Sequence, residues 1–477
     1  MAGSRKFIPA VAVCHSDGRR TPKGSTQLNL FFNRYTVEFP LGRVGDSSPD
    51  QGSGRGFAQN DNYSQFRVMS SEFRAFNLQL TTKNYKLKKQ IMKRTLIRNG
   101  ILGMAAVCMT VACDDDPIPL RDPSEVTGQV EIDWEMAADS LQEATLNTYL
   151  SGDGTFVQDN QGNATFHYWW NANALDVLVD GYLRTGNDNY VSRMKALVNG
   201  IKSRNGGGFR NDFNDDMQWL GNSCMRAYAV TGDTFFKETA GYLWEEIKKS
   251  WSDLYGGGIT WKSNEPLGKN ACSNAPAAVL AMRLYNSEGN EDDLNWAKDI
   301  FEWQKNKLVD PATGLVWDNI SQEDGEEVIN KDWIFTYNMG SYIGAAVMLY
   351  EATGEAVYLQ DALKSAKTLM TSPKLTSEGL LRDEGQGDGG LFKGILVRYF
   401  TLLIQNPDIS DQDRKSFADF MKYNAKTFYL EGVKRPGMFA GPNWREQPGA
   451  QTDLSTQLSG IMLAEAAALL KENGILE

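Results

Sequence analysis

Two adjacent carboxylates, Asp215 and Asp216, stand at the start of a helical apolar pattern that includes Met217 and Trp219. A glycine triplet at 206–208 precedes them in the chain. Paired carboxylates can cleave a glycosidic bond, one acting as acid and the other as base or nucleophile. Carboxylates in a first helical turn also complement the helix dipole and are favoured there for structural reasons. The pair on its own leaves both interpretations open.

The scarcity of histidine and cysteine limits the other chemistries. The 477 residues contain only two histidines, His15 and His167, which excludes a multi-histidine zinc site. The five cysteines show neither a disulfide framework nor metal-ligand spacing. Cys224 and Cys272 fall in apolar helical patterns, which predicts buried free thiols. We therefore expect no metal and no cofactor, and chemistry based on carboxylates, amides, hydroxyls and aromatic rings.

Charge is distributed unevenly along the chain. Residues 1–112 hold 17 of the 49 basic and 6 of the 60 acidic side chains, which leaves residues 113–477 with a net charge of −22. A domain that acidic would repel nucleic-acid phosphates, so a nucleic-acid partner is not expected.

The amino-terminal part has the layout of an exported lipoprotein. A basic start at Met92 leads into a short apolar run, and Val-Ala-Cys at 111–113 resembles a lipobox with Cys113 as the lipidation site. Residues 1–91 are then a disordered extension or upstream sequence that is not translated. The acidic run 114–116 resembles the surface-export signal of Bacteroidetes lipoproteins. These features predict an outer-membrane lipoprotein, at the cell surface or in the periplasm, with a signal peptide at 92–113 and a linker at 114–130.

From about residue 131, apolar residues recur at three- and four-residue steps, which is typical of helices. Thr-Gly turns near residues 185, 231 and 353 pair these helices into hairpins. The predicted helices are 133–150, 167–185, 188–203, 213–231, 233–251, 270–287, 291–307, 333–353, 355–371, 388–405, 410–428 and 451–472.

About six helical hairpins could stack as an open solenoid or close into a ring. The connections between hairpins are long, unequal and rich in Gly, Trp and Asn, as functional loops gathered at one end of a barrel would be. We therefore expect residues 131–477 to form an all-α (α/α)6 barrel with a substrate cleft at one end. Strand signals are limited to short pieces such as 258–261, predicted to form small hairpins on the loop face.

Polar and aromatic residues gather at the starts of alternate helices, which would line one rim of a barrel. Trp169 and Trp170 point about 100° apart on a helix, so one is expected in the core while the other is free to stack on a sugar. Asn270 and Asn274 share a helix face and suit a neutral polyol, although Asn270 could equally be a cap. The predicted substrate-binding residues are Trp170, Asn171, Gln218, Trp219, Trp261, Asn270, Asn274, Tyr337, Asn338, Asp388 and Lys393.

Several of these segments together resemble glycoside hydrolase family 76, the endo-α-1,6-mannanases. The hallmark is Asn-Asp-Asp-Met-Gln-Trp at 214–219. The segments that carry the resemblance follow the family's order along the chain: Tyr-Trp-Trp-Asn-Ala-Asn (168–173), the hallmark itself, Gly-Gly-Ile-Thr-Trp (257–261), Lys-Asn-Ala-Cys-Ser-Asn-Ala-Pro (269–276), Tyr-Asn-Met-Gly (337–340) and Phe-Lys-Gly (392–394). The resemblance implies a retaining mechanism with Asp215 as nucleophile and Asp216 as general acid/base. The carboxyls of neighbouring residues can converge to the spacing of about 5–5.5 Å that retaining enzymes use.

The resemblance implies an endo-acting hydrolase of α-1,6-mannosidic linkages, with α-mannan polysaccharide or oligosaccharide as its partner. Two alternatives remain at this point. The first is a non-catalytic surface glycan-binding lipoprotein, which would have no need of paired carboxylates. The second is another (α/α)6 carbohydrate-active enzyme, although an acidic substrate would favour a groove lined with more Arg and Lys than these segments supply.

Overall fold

The structure is a computed structural model that describes residues 28–32, 35–39 and 130–476. Residues 1–120 and 121–477 form two separate compact units. The first contains an antiparallel hairpin of β1 (Leu28–Phe32) and β2 (Tyr35–Phe39). The sequence patterns had predicted no regular element there, although aromatic and β-branched residues favour strands. The predicted signal peptide, Cys113 and all but the last residue of the linker lie outside the described residues.

Twelve α-helices make up residues 130–476 of the second unit, and all but one begin and end within three residues of the predicted positions. They are α1 (Trp134–Tyr149), α2 (Tyr168–Thr185), α3 (Asn189–Arg204), α4 (Asn214–Thr231), α5 (Thr234–Lys248), α6 (Ala275–Glu288), α7 (Glu291–Leu308), α8 (Thr336–Thr353), α9 (Ala356–Thr371), α10 (Gly389–Gln405), α11 (Asp411–Thr427) and α12 (Leu454–Glu472). The exception is α6, which begins at Ala275 and not near residue 270. The segment before it is a 3-10 turn, Ala271–Ser273, and Pro276 then stands in the first turn of the helix, where its missing N–H costs nothing.

The even-numbered helices form a closed inner ring. Each packs on the next even-numbered helix, and α12 packs back on α2. The odd-numbered helices lie outside: α3, α5, α7 and α9 each pack on the inner helix that precedes them, α1 packs on α12, and α11 contacts both α10 and α12. The fold is therefore the predicted (α/α)6 barrel and not an open solenoid.

The hairpin turns explain why each inner helix is followed so tightly by an outer one. Gly186, Gly232 and Gly354 end α2, α4 and α8 with φ of 63°, 69° and 70°, a left-handed conformation that glycine adopts without steric cost. The threonine before each glycine donates its hydroxyl to the carbonyl four residues earlier and accepts the N–H two residues later. The recurring Thr-Gly pair therefore stops one helix and orients the next.

The six longer connections, from each outer helix to the next inner helix, lie at the amino-terminal ends of the inner ring. They carry a three-stranded antiparallel sheet of β3 (Lys269–Asn270), β4 (Asn319–Glu323) and β5 (Glu326–Ile329). Two further hairpins are β6 (Thr376–Ser377) with β7 (Leu380–Leu381), and β8 (Val433–Lys434) with β9 (Phe439–Ala440).

Residues 258–261, predicted to form a hairpin strand, make only an isolated bridge from Ile259 to Trp251. The Trp303 ring covers Gly258 so closely that a Cβ there would lie 2.6 Å from it. None of the helices within the described residues is long and apolar enough to cross a membrane.

A buried ion pair joins the two helices at which the ring closes. Arg184 of α2 binds Glu465 of α12 through two hydrogen bonds, Nε to Oε2 at 2.8 Å and Nη2 to Oε1 at 3.1 Å. Gln142 of α1 also donates to Glu465. Burial raises the pKa of Glu465 against these partners, which favour its ionised form. At this point the closure of the ring therefore depends on Arg184, which stabilises the ionised form of the buried Glu465.

We expect Arg184→Met to lower the free energy of unfolding by about 3–5 kcal/mol, because it leaves Glu465 buried without a cation. The loss should be larger at pH 8 than at pH 5, since a protonated Glu465 needs no partner. Urea unfolding followed by circular dichroism at the two pH values measures both effects. The control is Lys249→Met, which removes an exposed lysine; the pair of Lys249 with Glu246 should contribute less than about 1 kcal/mol. An equal loss in the two variants would contradict the role of the ion pair.

Candidate active site

The first turn of α4 carries the two predicted catalytic residues. Phe213 occupies the N-cap position and Asn214 is the first helical residue. The Asn214 side chain donates to the Thr260 carbonyl at 2.8 Å and accepts from the Ser250 hydroxyl at 3.1 Å. Asn214 therefore fastens the start of α4 to the loop between α5 and α6, and Asp215 and Asp216 follow from a fixed backbone.

Asp215 lies in an enclosed site in which one carboxylate oxygen, Oδ1, is buried and has no hydrogen-bond partner. Burial raises the pKa of Asp215 to about 7. The Cys272 thiol, the Trp261 indole and the backbone N–H groups of Asp215 and Asp216 donate to the carboxylate and oppose that rise. The unpaired oxygen is free to meet a reacting group, and the other donors keep the ionised form accessible near neutral pH.

Asp216 holds its proton more strongly than Asp215 does. Burial raises the pKa of Asp216 well above its ordinary value, and the negative charges of Asp215 and Asp388 raise it further. Asn211 donates its amide Nδ2–H to Oδ2 of Asp216 at 2.9 Å. As pH rises, Asp215 ionises first, and its charge then disfavours ionisation of Asp216. This order fits Asp215 as the nucleophile and Asp216 as the acid, the roles that the family resemblance implies.

The two tryptophans at the start of α2 differ in exposure. Both donate their indole N–H to Oδ1 of the exposed Asp388, Trp169 at 2.8 Å and Trp170 at 2.9 Å. Trp170 is only 2% exposed and its ring is stacked on His167, with 3.8 Å between the ring centroids. The prediction that Trp170 stacks on a sugar is corrected, because its ring has no free face. Trp169 is the partly exposed member of the pair.

Two of the predicted substrate-binding amides are occupied by backbone contacts. Asn171 accepts from the Phe156 N–H at 2.7 Å and donates to the Phe156 carbonyl at 3.2 Å. Asn274 makes the same pair of bonds with Ile259, at 2.8 and 3.0 Å. Both side chains are buried. Both side chains fix loops to the starts of inner helices. The prediction that Asn171 and Asn274 bind substrate directly is therefore wrong, and their role is to position these loops.

Gln218 and Lys393 are also buried and bind backbone carbonyls of other segments. The buried Gln218 donates to the Ser273 carbonyl at 2.9 Å. The ammonium of the buried Lys393 donates to the Pro442 carbonyl and lies 4.4 Å from the centroid of the Trp444 ring. Burial lowers the pKa of Lys393 to about 8. The predicted substrate contact of Lys393 is therefore corrected, since its charged end is held inside the protein.

A third carboxylate, Asp318, lies in the connection between α7 and α8. It accepts from Nδ2 of Asn338 at 2.8 Å and from Nδ2 of Asn270 at 3.2 Å, and burial raises its pKa. Asn338 is fully buried, whereas Asn270 is partly exposed. Of the two predicted amides, Asn270 is the one accessible to a ligand, and Asp318 orients it.

Aromatic rings form much of the wall around the carboxylates. Tyr337 is stacked on Phe392 with 3.9 Å between centroids, and its hydroxyl hydrogen-bonds the Cys272 thiol that donates to Asp215. Trp261 is partly exposed, whereas Trp219 is buried beside Trp169, with 6.3 Å between their rings. Within residues 130–476, no group of three or more His, Cys, Asp or Glu side chains could hold a metal ion.

The sequence patterns missed several residues of this site. Trp169, Asn211, Cys272 and Asp318 had not been predicted as site residues. Asn211 lies between the glycine triplet 206–208 and the segment 214–219, five residues before Asp216, and Trp169 is one half of the tryptophan pair, so both were next to or within the selected segments. Cys272 was interpreted as a buried free thiol, which it is, but its contact with Asp215 gives that thiol a place in the site.

The raised pKa of Asp215 predicts a pH-dependent cost to stability. An unfolded aspartate has a pKa near 3.9, so the folded state binds more protons than the unfolded state between about pH 4 and pH 7. Stability should therefore fall as pH rises through this range. Asp215→Asn removes the cost, and we expect it to raise the melting temperature relative to wild type more at pH 8 than at pH 4. Differential scanning fluorimetry measures this, with the exposed Asp212→Asn as matched control. A gain independent of pH would contradict the enclosed environment assigned to Asp215.

This chain is similar to several proteins of known family or structure. The model of glycosyl hydrolase family 76 matches residues 133–476. The structure of the GH76A alpha-1,6-mannanase from Salegentibacter sp. HEL1_6 is 57% identical and covers 71% of this chain and 100% of its own, with a TM-score of 0.70. An inactive variant of that enzyme, with two consecutive aspartates replaced by asparagine, is known in complex with alpha-1,6-mannotriose.

A second relative of known structure, the Lin0763 protein from Listeria innocua, is 35% identical and covers 71% of this chain and 98% of its own, with a TM-score of 0.66. The mannan endo-1,6-alpha-mannosidase DCW1 of Candida glabrata is 27% identical over 266 residues, 48% of this chain. That match spans 56% of the fungal protein, little more than half its length. Because the family model covers most of the chain, the prediction from the sequence segments is confirmed, and the protein belongs to glycosyl hydrolase family 76.

Proposed function

We propose that this protein is a retaining, endo-acting glycoside hydrolase that cleaves α-1,6-mannosidic linkages in mannan backbones. The observation that carries the proposal is the unequal pair in the first turn of α4. Asp215 has a pKa raised to about 7 and an unpaired oxygen, while Asp216 holds its proton to higher pH. One ionised and one protonated carboxyl side by side is the state that a retaining mechanism needs.

In the first step, the Asp215 carboxylate attacks the anomeric carbon and Asp216 gives its proton to the departing glycosidic oxygen. The result is a covalent glycosyl–enzyme ester and a new chain end. In the second step, Asp216, now ionised, removes a proton from water, and the resulting hydroxide displaces Asp215 from the anomeric carbon. Two displacements at one carbon restore its configuration. Asn211 holds Asp216, and Cys272 holds Asp215, in place for both steps.

The lining of the site supports a neutral sugar as substrate. Aromatic rings and the Asn270 amide lie around the carboxylates, and two lysines of this end of the barrel, Lys393 and Lys262, are engaged elsewhere. Lys393 is buried, and Lys262 pairs with Glu265 at 2.7 Å. An enzyme for uronic acids would need free cations to bind the substrate's carboxylates. The Salegentibacter relative, an alpha-1,6-mannanase with a pair of consecutive aspartates replaced in its inactive form, supports both the linkage and the catalytic pair.

Product analysis on linear α-1,6-mannan tests the proposal. We expect wild type to release oligosaccharides of several lengths, and Asp215→Asn and Asp216→Asn each to lower the rate about 10²-fold or more. The matched control is Asp212→Asn, which changes an exposed carboxylate three residues earlier and should retain activity. Reducing-sugar assays and mass spectrometry of the products measure the outcome. Binding of mannan by wild type without new reducing ends would favour a non-catalytic glycan-binding protein instead.

Azide separates the two catalytic roles within the same experiment. With an activated substrate whose leaving group needs no proton, azide can replace the water that Asp216 activates. Asp216→Ala should therefore be rescued by azide with retained configuration in the product, and Asp215→Ala should not be rescued in that way. Rescue of Asp216→Ala that is no better than that of Asp215→Ala would overturn the assignment.

We further propose that the barrel is tethered to the outer membrane by a lipid on Cys113. The support is the signal-like segment 92–113 and the proline-containing linker that follows. Cys113→Ala should move the protein from the membrane fraction to the soluble fraction without changing its activity on mannan. Fractionation with immunoblotting and mass spectrometry of the mature amino terminus measure this. Retention of the variant in the membrane, or any native peptide from residues 1–80, would contradict this arrangement.

A further inference from the structure

Trp333 is the most exposed tryptophan in residues 130–476, with 55% of its surface accessible. It lies in the connection between α7 and α8, three residues before α8 begins, and therefore on the same rim as the catalytic pair. Burying an indole normally stabilises a fold by about 2–3 kcal/mol, so leaving it in water forgoes that gain. An exposed indole on the rim of a cleft has a free apolar ring face on which a ligand can pack.

The backbone holds Trp333 in its exposed position from both sides. Its N–H donates to Oδ1 of Asn330 at 3.2 Å, and its carbonyl accepts the N–H of Asp318 at 3.1 Å. The next carbonyl, of Ile334, accepts from the Arg382 guanidinium at 2.5 Å, and the Ile334 side chain is buried. A loop fixed in this way presents its indole without further ordering, which lowers the entropy cost of binding.

From Trp333, a series of neighbouring rings leads toward the catalytic carboxylates. Trp333 lies 6.3 Å from Phe335, Phe335 lies 5.3 Å from Phe392, and Phe392 lies 6.3 Å from Trp169, measured between ring centroids. Phe335, Phe392 and Trp169 are each partly exposed. We call these four residues the aromatic strip. At its inner end Trp169 donates to Asp388, whose charge acts on Asp216, and Phe392 stacks on Tyr337.

We infer that the aromatic strip is an extended binding surface for the mannan chain, with Trp333 as a subsite for sugar units remote from the bond that is cut. The inference rests on the proposed function. The C–H face of a neutral pyranose is apolar and packs flat on an indole, while its hydroxyls stay in water. A chain that reaches Trp333 gains this contact, whereas an oligosaccharide too short to reach it does not. The strip therefore makes affinity depend on chain length.

The surroundings of Trp333 favour a glycan over a protein partner. Asp332, beside it in the chain, has a side chain that is 97% exposed and is paired with Lys374 at 3.5 Å. Lys331 lies 4.6 Å from the centroid of the Trp317 ring. Charged side chains therefore flank the indole among the described residues, whereas the core of a stable protein interface is depleted of charged residues.

Kinetics on substrates of two lengths test the inference. On long linear α-1,6-mannan, Trp333→Ala should raise KM about three- to tenfold with kcat within about twofold of wild type. On α-1,6-mannotriose or mannotetraose, neither constant should change by more than about twofold. Trp333→Phe should recover part of the loss, because a smaller ring still stacks. The matched control is Tyr242→Ala, which removes an aromatic ring of similar exposure, 46%, from α5 on the outside of the barrel.

The outcomes separate this inference from the function on which it rests. If wild type cleaves neither substrate, the proposed function fails. If wild type cleaves both and Trp333→Ala changes the two substrates equally, or changes kcat alone, the subsite is disproved. Melting temperatures of the variants show whether the barrel is intact. A sedimentation coefficient that falls in Trp333→Ala would assign the indole to an interface between copies of the chain and would also overturn the inference.

Discussion

Closure of the inner ring is the constraint on which the rest of the molecule depends. The six inner helices alternate with outer ones, so they all run in the same direction and their amino termini share one end. The long connections must then gather at that end, because each leads from an outer helix into the next inner one. The Arg184–Glu465 pair joins the last inner helix to the first and so holds the two ends of this arrangement together. Without closure, α4 and α10 would not bring Asp216 and Asp388 to one cleft.

Within that cleft, the proposed chemistry depends on making two identical side chains unequal. Asp215 and Asp216 are consecutive in the chain, and both are enclosed. They differ in what faces them: Asp215 receives several hydrogen bonds from Cys272, Trp261 and backbone N–H groups, while Asp216 receives one from Asn211 and faces the charge of Asp388 as well. Hydrogen bonds favour the ionised carboxylate and negative charges disfavour it, which separates the two pKa values. The proposed division of labour would therefore be set by the connections that surround the start of α4 and not by the pair itself.

Sequence periodicity predicted the helices and their pairing into hairpins well, because both follow from local signals, whereas closure was inferred from the long, unequal connections between hairpins. Apolar spacing and the Thr-Gly turns act within a few residues, and the start of α6 was misplaced where a 3-10 turn and Pro276 interrupt the pattern. The site was harder to predict, since the partners of its polar side chains come from distant segments. Lys393 meets the carbonyl of Pro442, and Asn171 meets Phe156, contacts that spacing along one helix does not reveal.

The choice between Trp169 and Trp170 failed for a related reason: periodicity gives the angle between two neighbours but not the rotation of the helix about its axis. Asp318 and Cys272 were missed because each acquires its place through side chains that other connections supply. The aspartate pair was interpreted as catalytic only with the help of several further segments in a recognisable order.

The common direction of the inner helices also has an electrical consequence. Each helix has a partial positive charge at its amino end, and six such ends surround a cleft that contains Asp215, Asp216, Asp318 and Asp388. The barrel itself therefore offsets part of the repulsion among these acids, with backbone dipoles in place of lysines or arginines. A neutral sugar chain entering the cleft displaces no counter-charge from it. Dissolved ions screen enclosed dipoles weakly. The electrostatic balance between the helix ends and the carboxylates should therefore change little with the salt concentration of the surroundings.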